Sequence, residues 1–503
     1  MALGLPTDDE LQQAAAAHGF HLTPEEIVGF RSLLGPLFGA LEQLDELPNA
    51  HPAAVEARDP GARPAPGEDP FNAIVRRCSV KARASGRLSG KRVGLKDNIS
   101  VAGVPMTCGS RVLEGYTPDH DATIVRRLLD EGAEIVAILN MDAFAFSAGG
   151  QTSCYGPTLN PHDPNRLAGG SSGGSAAALY YDDIDLTIGG DQGGSIRVPA
   201  SWCGVVGLKP THGLVSYTGI VGIDATVDHA GPMGRSAADV ALLLEVIAGK
   251  DPLDPRQHEV TVEPYTRMLS HGLHGLRIGL LKEGFGHEGA EPDVESAVRG
   301  AVDLLRDAGA SVEEVSNPSH LQAGGIAWAL FTEGMSALLR ANGLGHHWEG
   351  FYDVCFGTQL GRRRRERGHA FPPTLKLALL AGEYLHEHYH GRCYGTAQNC
   401  RGPLRASYDR LFDHVDVLAM PTTPMKAHHR DREPVPWTIV PKGWNMLGNT
   451  VPFNVTGHPA LSLPCTKSAG LPIGLMLVGR RFEDGTLLRA AHAFESYVDW
   501  RAS

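Results

Sequence analysis

Apolar runs of strand length alternate with amphipathic helical segments over most of the chain. This pattern predicts an α/β protein, a sheet covered by helices on both faces. Two compositional facts support that class. Of the 503 residues, 42% are hydrophobic and 20% charged, enough for a sizeable core without disulfide staples. The 61 glycines and 34 prolines show no G-X-Y period, so they mark turns and close backbone approaches rather than a collagen-like rod. A net charge of −12 argues against nucleic acid or an anionic membrane surface as partner.

The first segment reads as helical. Thr7-Asp8-Asp9-Glu10 is a capping box, and Thr23-Pro24-Glu25-Glu26 is a second with proline at the first helical position. Beyond it Ile27, Phe30, Leu34, Leu37, Phe38, Leu41 and Leu44 recur at helical spacing, and the helix should stop before Pro48. Its apolar stripe needs a partner, so a homodimer involving this extension is expected. Asn49 to Pro70, rich in Pro, Ala and Gly, reads as a linker. The chain thus divides into a helical extension with linker, 1–66, and a main domain, 67–503.

In the main domain the pattern predicts a strand at Lys91–Leu95, a helix at Ala122–Asp130 and a strand at Glu134–Leu139. A helix at Ser236–Ala248, a strand at Leu276–Leu281, a helix at Val294–Ala308 and a strand at Ser311–Val315 follow. Residues 320–410 form a helix-rich subregion over the sheet, and Asp416–Met420 resumes as a strand. No Lys or Arg precedes Arg31, no apolar run could span a bilayer, and the eight cysteines include no C-x-x-C. A cytoplasmic protein with reduced thiols and no membrane partner is the expectation.

The densest chemical signal is Gly169-Gly170-Ser171-Ser172-Gly173-Gly174-Ser175, followed by Asp191-Gln192-Gly193-Gly194-Ser195-Ile196-Arg197. A phosphate cradle fails because no G-K-[ST] follows. A flexible linker fails because apolar residues lie directly between the two loops. Serine hydroxyls beside backbone N–H groups suit a nucleophile and an oxyanion hole. Lys96, ending an apolar strand, is a candidate base, against the plainer reading of an ion pair with Asp97.

Gly94-Leu95-Lys96-Asp97-Asn98, the two Gly/Ser loops, Asn160-Pro161 with Asp163-Pro164, Cys203-Gly204 through Gly207-Leu208-Lys209-Pro210-Thr211, and Gly231-Pro232 together resemble the amidase signature family. The resemblance covers roughly residues 70–500 and implies a large mixed sheet with helices on both faces. It implies Lys96 as base, Ser171 as bridging serine after a cis Gly170–Ser171 bond, and Ser195 as nucleophile. The amides of Gln192, Gly193, Gly194 and Ser195 would form the oxyanion hole, and Asp191 and Arg197 would fix the loop. Phe146, Gly170 and Trp328 are the candidate substrate contacts. The implied substrate is a small carboxylic acid amide, cleaved to carboxylate and ammonia with no metal or cofactor. Gly190-Asp191-Gln192 and Asp142-Ala143-Phe144-Ala145-Phe146 depart from the commoner family forms and resemble the enantioselective amidases of bacterial nitrile breakdown. Hydrazides, carbamates or anilides remain open as substrates, as does an ammonia-releasing subunit of an amidotransferase.

Two decoys compete. His386-Glu387-His388-Tyr389-His390 is a literal H-E-x-x-H, which on a helix would offer His386 and His390 to zinc, though the stretch is simply His-rich. Gly170 to Gly174 also matches G-x-S-x-G, making Ser172 an elbow nucleophile. That elbow needs a preceding strand, and Asn160–Leu167 reads as a turn region. The basic run Arg362–Arg365 with Arg367 reads as a solvated face or as salt-bridge partners.

Overall fold

The computed structural model describes residues 3–48, 52, 58–82 and 85–501. They form two compact units, 1–51 and 52–503. In the first, helices α1 (Asp8–Ala17) and α2 (Pro24–Glu42) each begin at the expected capping box, with Thr7 and Thr23 as N-caps. Gln12 locks the turn between them, exchanging hydrogen bonds with Leu22 O (2.6 Å) and Leu22 N (3.2 Å). A 3-10 turn, Gln43–Glu46, ends the segment before Pro48. Val28, Leu33 and Leu37 of α2 are exposed.

Much of the expected linker lies outside the described residues. From Arg58 onward the chain belongs to the second unit, which therefore starts ahead of residue 67. Arg58 makes a bidentate pair with the buried Asp121 (2.6 and 2.8 Å), and Ala62 N–H donates to Arg77 O at 3.0 Å.

The second unit is built on an 11-stranded mixed sheet. Its strands, with a separate two-stranded ribbon of β4 and β5, are β1 (Ile74–Lys81), β2 (Arg92–Lys96), β3 (Glu134–Leu139), β4 (Leu159–Asn160), β5 (Asp163–Leu167), β6 (Leu186–Asp191), β7 (Val206–Lys209), β8 (His229–Gly234), β9 (Arg277–Leu281), β10 (Ser311–Val315), β11 (Val417–Pro421), β12 (Ala460–Ser468) and β13 (Leu471–Gly479). Their spatial order is β1-β3-β2-β6-β8-β7-β12-β13-β11-β9-β10. Strand β2 pairs parallel with β3 and β6, while β6–β8 and β12–β13 are antiparallel.

Period-two alternation shows both faces covered. In β13, Ile473, Leu475 and Leu477 join a core with the helices Thr123–Asp130, Ala237–Ile247, Pro292–Asp307 and Asp484–Tyr497. Met476 and Val478 face the opposite core, built from the helical region 323–412. The strands and helices read from periodicity are present within two residues at either end. Strands β6 and β8, sequences LTIGGD and HAGPMG, carry no such signal because glycine and proline disfavour strands. Their glycines are set by packing: a Cβ on Gly231 would lie 2.2 Å from Leu208 O. One expectation is corrected. Residues 160–167 are not a plain turn region, since β4 and β5 form a short ribbon pinned by the buried Asn160, which donates to Trp202 O and Leu167 O.

No helix among the described residues is long and apolar enough to cross a membrane. All eight cysteines carry free thiols.

Candidate active site

Three parallel strands end together at Lys96, Leu139 and Asp191, and the candidate residues stand on the loops that leave them. In a parallel sheet the carboxyl ends are where loops converge and ligands are met. Leu95 points into the core, so Lys96 is turned to the opposite face. It has no exposed surface. Lys96 Nζ is hydrogen-bonded to Ser171 Oγ at 2.7 Å and to Gly190 O at 3.2 Å. Burial pushes the lysine down to about 7, outweighing the opposing pull of Asp191 and Asp142. A substantial fraction is then the neutral amine, which can accept a proton from the serine it touches.

The expected alternative, an ion pair with Asp97, is absent. Asp97 turns away and accepts from Thr107 Oγ1, Thr107 N (3.1 Å) and Gly109 N (3.0 Å). Burial raises it to about 6 against those hydrogen bonds.

The Gly170–Ser171 peptide bond is cis. Asp142 cradles this loop: its carboxylate accepts from Gly150 N (2.8 Å), Thr152 N (2.7 Å) and Thr152 Oγ1 (2.8 Å), and its own N–H donates to Ser171 O (3.1 Å). A Cβ on Gly170 would lie 1.9 Å from Asp142 Oδ2, so position 170 has room only for glycine. Gly170 thus shapes the loop.

Ser195 is 4% exposed and follows Gly194, whose φ of 147° lies in the region that favours glycine. The amides of Gly193, Gly194 and Ser195 donate to no described residue, while the next two, Ile196 and Arg197, donate to Asp191 Oδ2 (3.1 and 3.4 Å). Unengaged N–H groups beside a serine can hold an oxyanion. Gln192 reaches away from them, its Nε2 donating to Tyr217 OH at 2.7 Å.

Asp191 and Arg197, both without exposed surface, form a bidentate pair (3.0 and 2.9 Å). Burial alone would raise the Asp191 pKa, but the Arg197 charge, its hydrogen bonds and Asn454 hold it at about 2. Arg197 also donates to Thr450 O (2.9 Å) and Asn454 Oδ1 (2.6 Å), and Thr450 Oγ1 donates to Gly193 O (2.6 Å). Asp142, Thr450 and Asn454 were not anticipated as site residues. For Thr450 and Asn454 the available signal was a threonine beside, and an asparagine inside, the apolar run Val451–Val455, all of it buried.

Thr450 lies nearest the glycine loop, 2.5 Å from a Cβ on Gly194, and apolar side chains stand beside it. A Cβ on Gly193 would meet Phe331 at 3.3 Å and Val451 at 3.4 Å, and one on Gly194 would meet Leu447 at 3.1 Å. Phe146 is buried, edge-on to Phe331 (6.5 Å) and Trp444 (6.3 Å). Trp328 joins the same cluster through Trp444 at 4.6 Å but is 37% exposed, at its rim. Phe331 was not anticipated.

The Amidase family model matches residues 73–488. An enantioselective amidase of Rhodococcus rhodochrous is 41% identical over 447 residues, covering 86% of this chain and 85% of its own. A glutamyl-tRNA(Gln) amidotransferase subunit of Chloroflexus aurantiacus is 40% identical over 426 residues, 84% of this chain and 85% of that one. The crystal structure of the corresponding Thermotoga maritima subunit superposes with a TM-score of 0.70 at 32% identity, covering 85% and 88% of the two chains.

The chain belongs to the amidase signature family. As a member it is a carbon–nitrogen bond hydrolase on a mixed α/β fold. Neither decoy acquires a site in this amidase fold. Ser172 Oγ is tied to the Gly190 backbone, donating to its carbonyl (3.0 Å) and accepting from its amide (3.1 Å). His390 lies beyond the helix Pro373–Tyr389 in a left-handed conformation, and His386 and His390 are both exposed. The three-ligand cluster found among the described residues, Asp119, His120 and Asp353, excludes them. The basic run is structural in part: Arg363 and Arg367 donate to Glu114 O, and Arg364 donates to Asn342 Oδ1.

Proposed function

We propose that this amidase hydrolyses small carboxylic acid amides with apolar or aromatic acyl groups through a Ser195 acyl-enzyme. The supporting observation is Lys96, fully buried, pushed to about 7 and 2.7 Å from Ser171 Oγ beside the unengaged amides of residues 193–195. Neutral Lys96 takes a proton from Ser171, which takes one from Ser195. Ser195 Oγ attacks the carbonyl, and the amides stabilise the oxyanion, each such donor typically contributing about 2.7–4 kcal/mol. The relay returns a proton to the leaving nitrogen, and water entering by the same route frees the acid. Gln192 to Ser195 supply the oxyanion hole, and the Asp191–Arg197 pair fixes the loop. The step needs neither metal nor cofactor.

Phe331, Val451, Leu447 and the Phe146–Trp444–Trp328 cluster favour an apolar acyl group over the charged ends of free glutamine. These walls support a reading with the enantioselective amidase rather than with the amidotransferase subunits. A fluorophosphonate probe followed by mass spectrometry should locate the adduct on Ser195. Benzamide and phenylpropionamide should outrank acetamide, an anilide, a hydrazide, a carbamate and glutamine in kcat/KM for the chain purified alone. An adduct on Ser172, or turnover of glutamine alone, would overturn the reading. We also infer a cytoplasmic homodimer through the exposed stripe of α2. Light scattering should give twice the 53.7 kDa chain mass, and deleting residues 1–48 should give the monomer.

A further inference from the structure

Two consecutive glycines stand in the loop that would hold the oxyanion. Turning over the Gly193–Gly194 peptide changes only ψ of Gly193 and φ of Gly194, and neither residue has a Cβ to resist it. The bond is trans, so its C=O and N–H point in opposite directions. Whatever fixes the Gly193 carbonyl therefore fixes the Gly194 N–H, one of the unengaged amides.

Among the described residues one donor reaches that carbonyl. Thr450 Oγ1 lies 2.6 Å from Gly193 O, nearer than its other acceptor, Leu447 O at 3.2 Å, and a hydroxyl has one proton to give. Only glycine at position 194 leaves room for this hydroxyl, since a Cβ there would lie 2.5 Å from it. Thr450 is itself fully buried and held. It precedes the short helix Val451–Thr456, which Arg197 ties down through Thr450 O (2.9 Å) and Asn454 Oδ1 (2.6 Å). Asn449, just ahead, donates to Gly284 O (2.9 Å) and Pro421 O (2.7 Å). Asn454, four residues beyond Thr450 and on the same face, donates to Asp191 O (3.0 Å) and so sets the Gln192 N–H in the same way. Alternate carbonyls of the loop, those of residues 191 and 193, are gripped from one helix face.

We propose that Thr450 is a positioning residue for the oxyanion hole, its hydroxyl keeping the Gly194 N–H turned to the substrate oxygen. The proposal rests on the amidase reading above. Thr450 exchanges no proton with the substrate and acts only through the peptide it holds. The ground-state carbonyl asks little of that N–H, and the charge that develops in the transition state asks much. Loss of the hydroxyl should therefore appear in kcat and spare KM.

The test compares the wild type with Thr450→Val, Thr450→Ala and Thr450→Ser on benzamide, each checked for folding by its melting temperature. Valine keeps the shape without the hydroxyl, alanine removes it with less bulk, and serine retains it. The valine and alanine variants should lose about tenfold or more in kcat, toward the about 10²–10³ of a lost oxyanion donor, with KM within about threefold. Thr450→Ser should keep kcat within about threefold of the wild type. A merely structural role would lower the melting temperature without this split between kcat and KM. The proposal is overturned if a folded variant without the hydroxyl keeps its kcat, if KM rises as far as kcat falls, if serine does not restore kcat, or if serine alone among the three gives a folded protein. If the wild type turns over no benzamide, the amidase reading fails, and the rate at which a fluorophosphonate labels Ser195 decides the proposal alone. That reaction joins Ser195 Oγ to phosphorus, expels fluoride and sets the P=O oxygen where the carbonyl oxygen would lie. Labelling about tenfold slower in the valine and alanine variants and restored by serine supports the role of Thr450. Equal rates in all four proteins, or no labelling of the wild type, overturn it.

Discussion

Lys96 and Lys209 each close a β-strand, each has no exposed surface, and burial holds each below the ordinary lysine range. Their surroundings differ in one respect. Lys96 is bonded to a hydroxyl, Ser171 Oγ, as well as to a carbonyl. Lys209 is bonded only to carbonyl oxygens, His458 O at 2.6 Å and Pro210 O at 3.1 Å. Desolvation makes an amine available as a base, and the partner decides whether there is a proton for it to take. A carbonyl offers none, so Lys209 satisfies buried backbone while Lys96 can drive a relay.

The same substitution at both lysines tests this contrast. Lys96→Met keeps much of the side-chain volume and removes the base. It should lower kcat/KM on an unactivated amide by at least about 10²–10⁴, the usual worth of a positioned base. If Lys96→Met melts normally and retains most of its turnover, the relay is wrong.

The pH profile gives the next largest effect. Lys96 is depressed to about 7, so it is charged below that pH and neutral above it. Amide kcat/KM should therefore rise about tenfold per pH unit below 7 and level off above it, as for any single base. A profile flat from pH 5 to 9 would remove Lys96 from the base role.

Lys209→Met should give the smallest change in rate and a change in stability instead. It strands two buried carbonyls, each costing about 1–3 kcal/mol. The melting temperature should fall by several degrees while kcat on benzamide stays within about threefold, far short of the loss expected for a base. A rate loss as large as that of Lys96→Met, without a drop in melting temperature, would erase the distinction between the two lysines.

The sequence by itself determined what is local. Capping boxes placed α1 and α2, period-two and helical spacing placed the strands and helices that carry apolar side chains, and the Gly/Ser loops with Lys96 pointed to the candidate site. These signals survive in one dimension because they depend on neighbours a few residues away. The tertiary structure decided what depends on distant neighbours. Strands β6 and β8 form despite their glycine because Ile196, Leu208 and Ser172 pack against positions where a Cβ would collide. Lys96 finds Ser171 rather than Asp97, which lies beside it in sequence, because strand geometry sends adjacent side chains to opposite faces. Phe331, Leu447 and Val451 reach Gly193 and Gly194 from more than 130 residues away. Asp224 and Asp228 share a cavity with Glu333, on a separate helical turn. Burial is a property of the assembled chain, and it is burial that lowers the Lys96 pKa and raises that of Asp228.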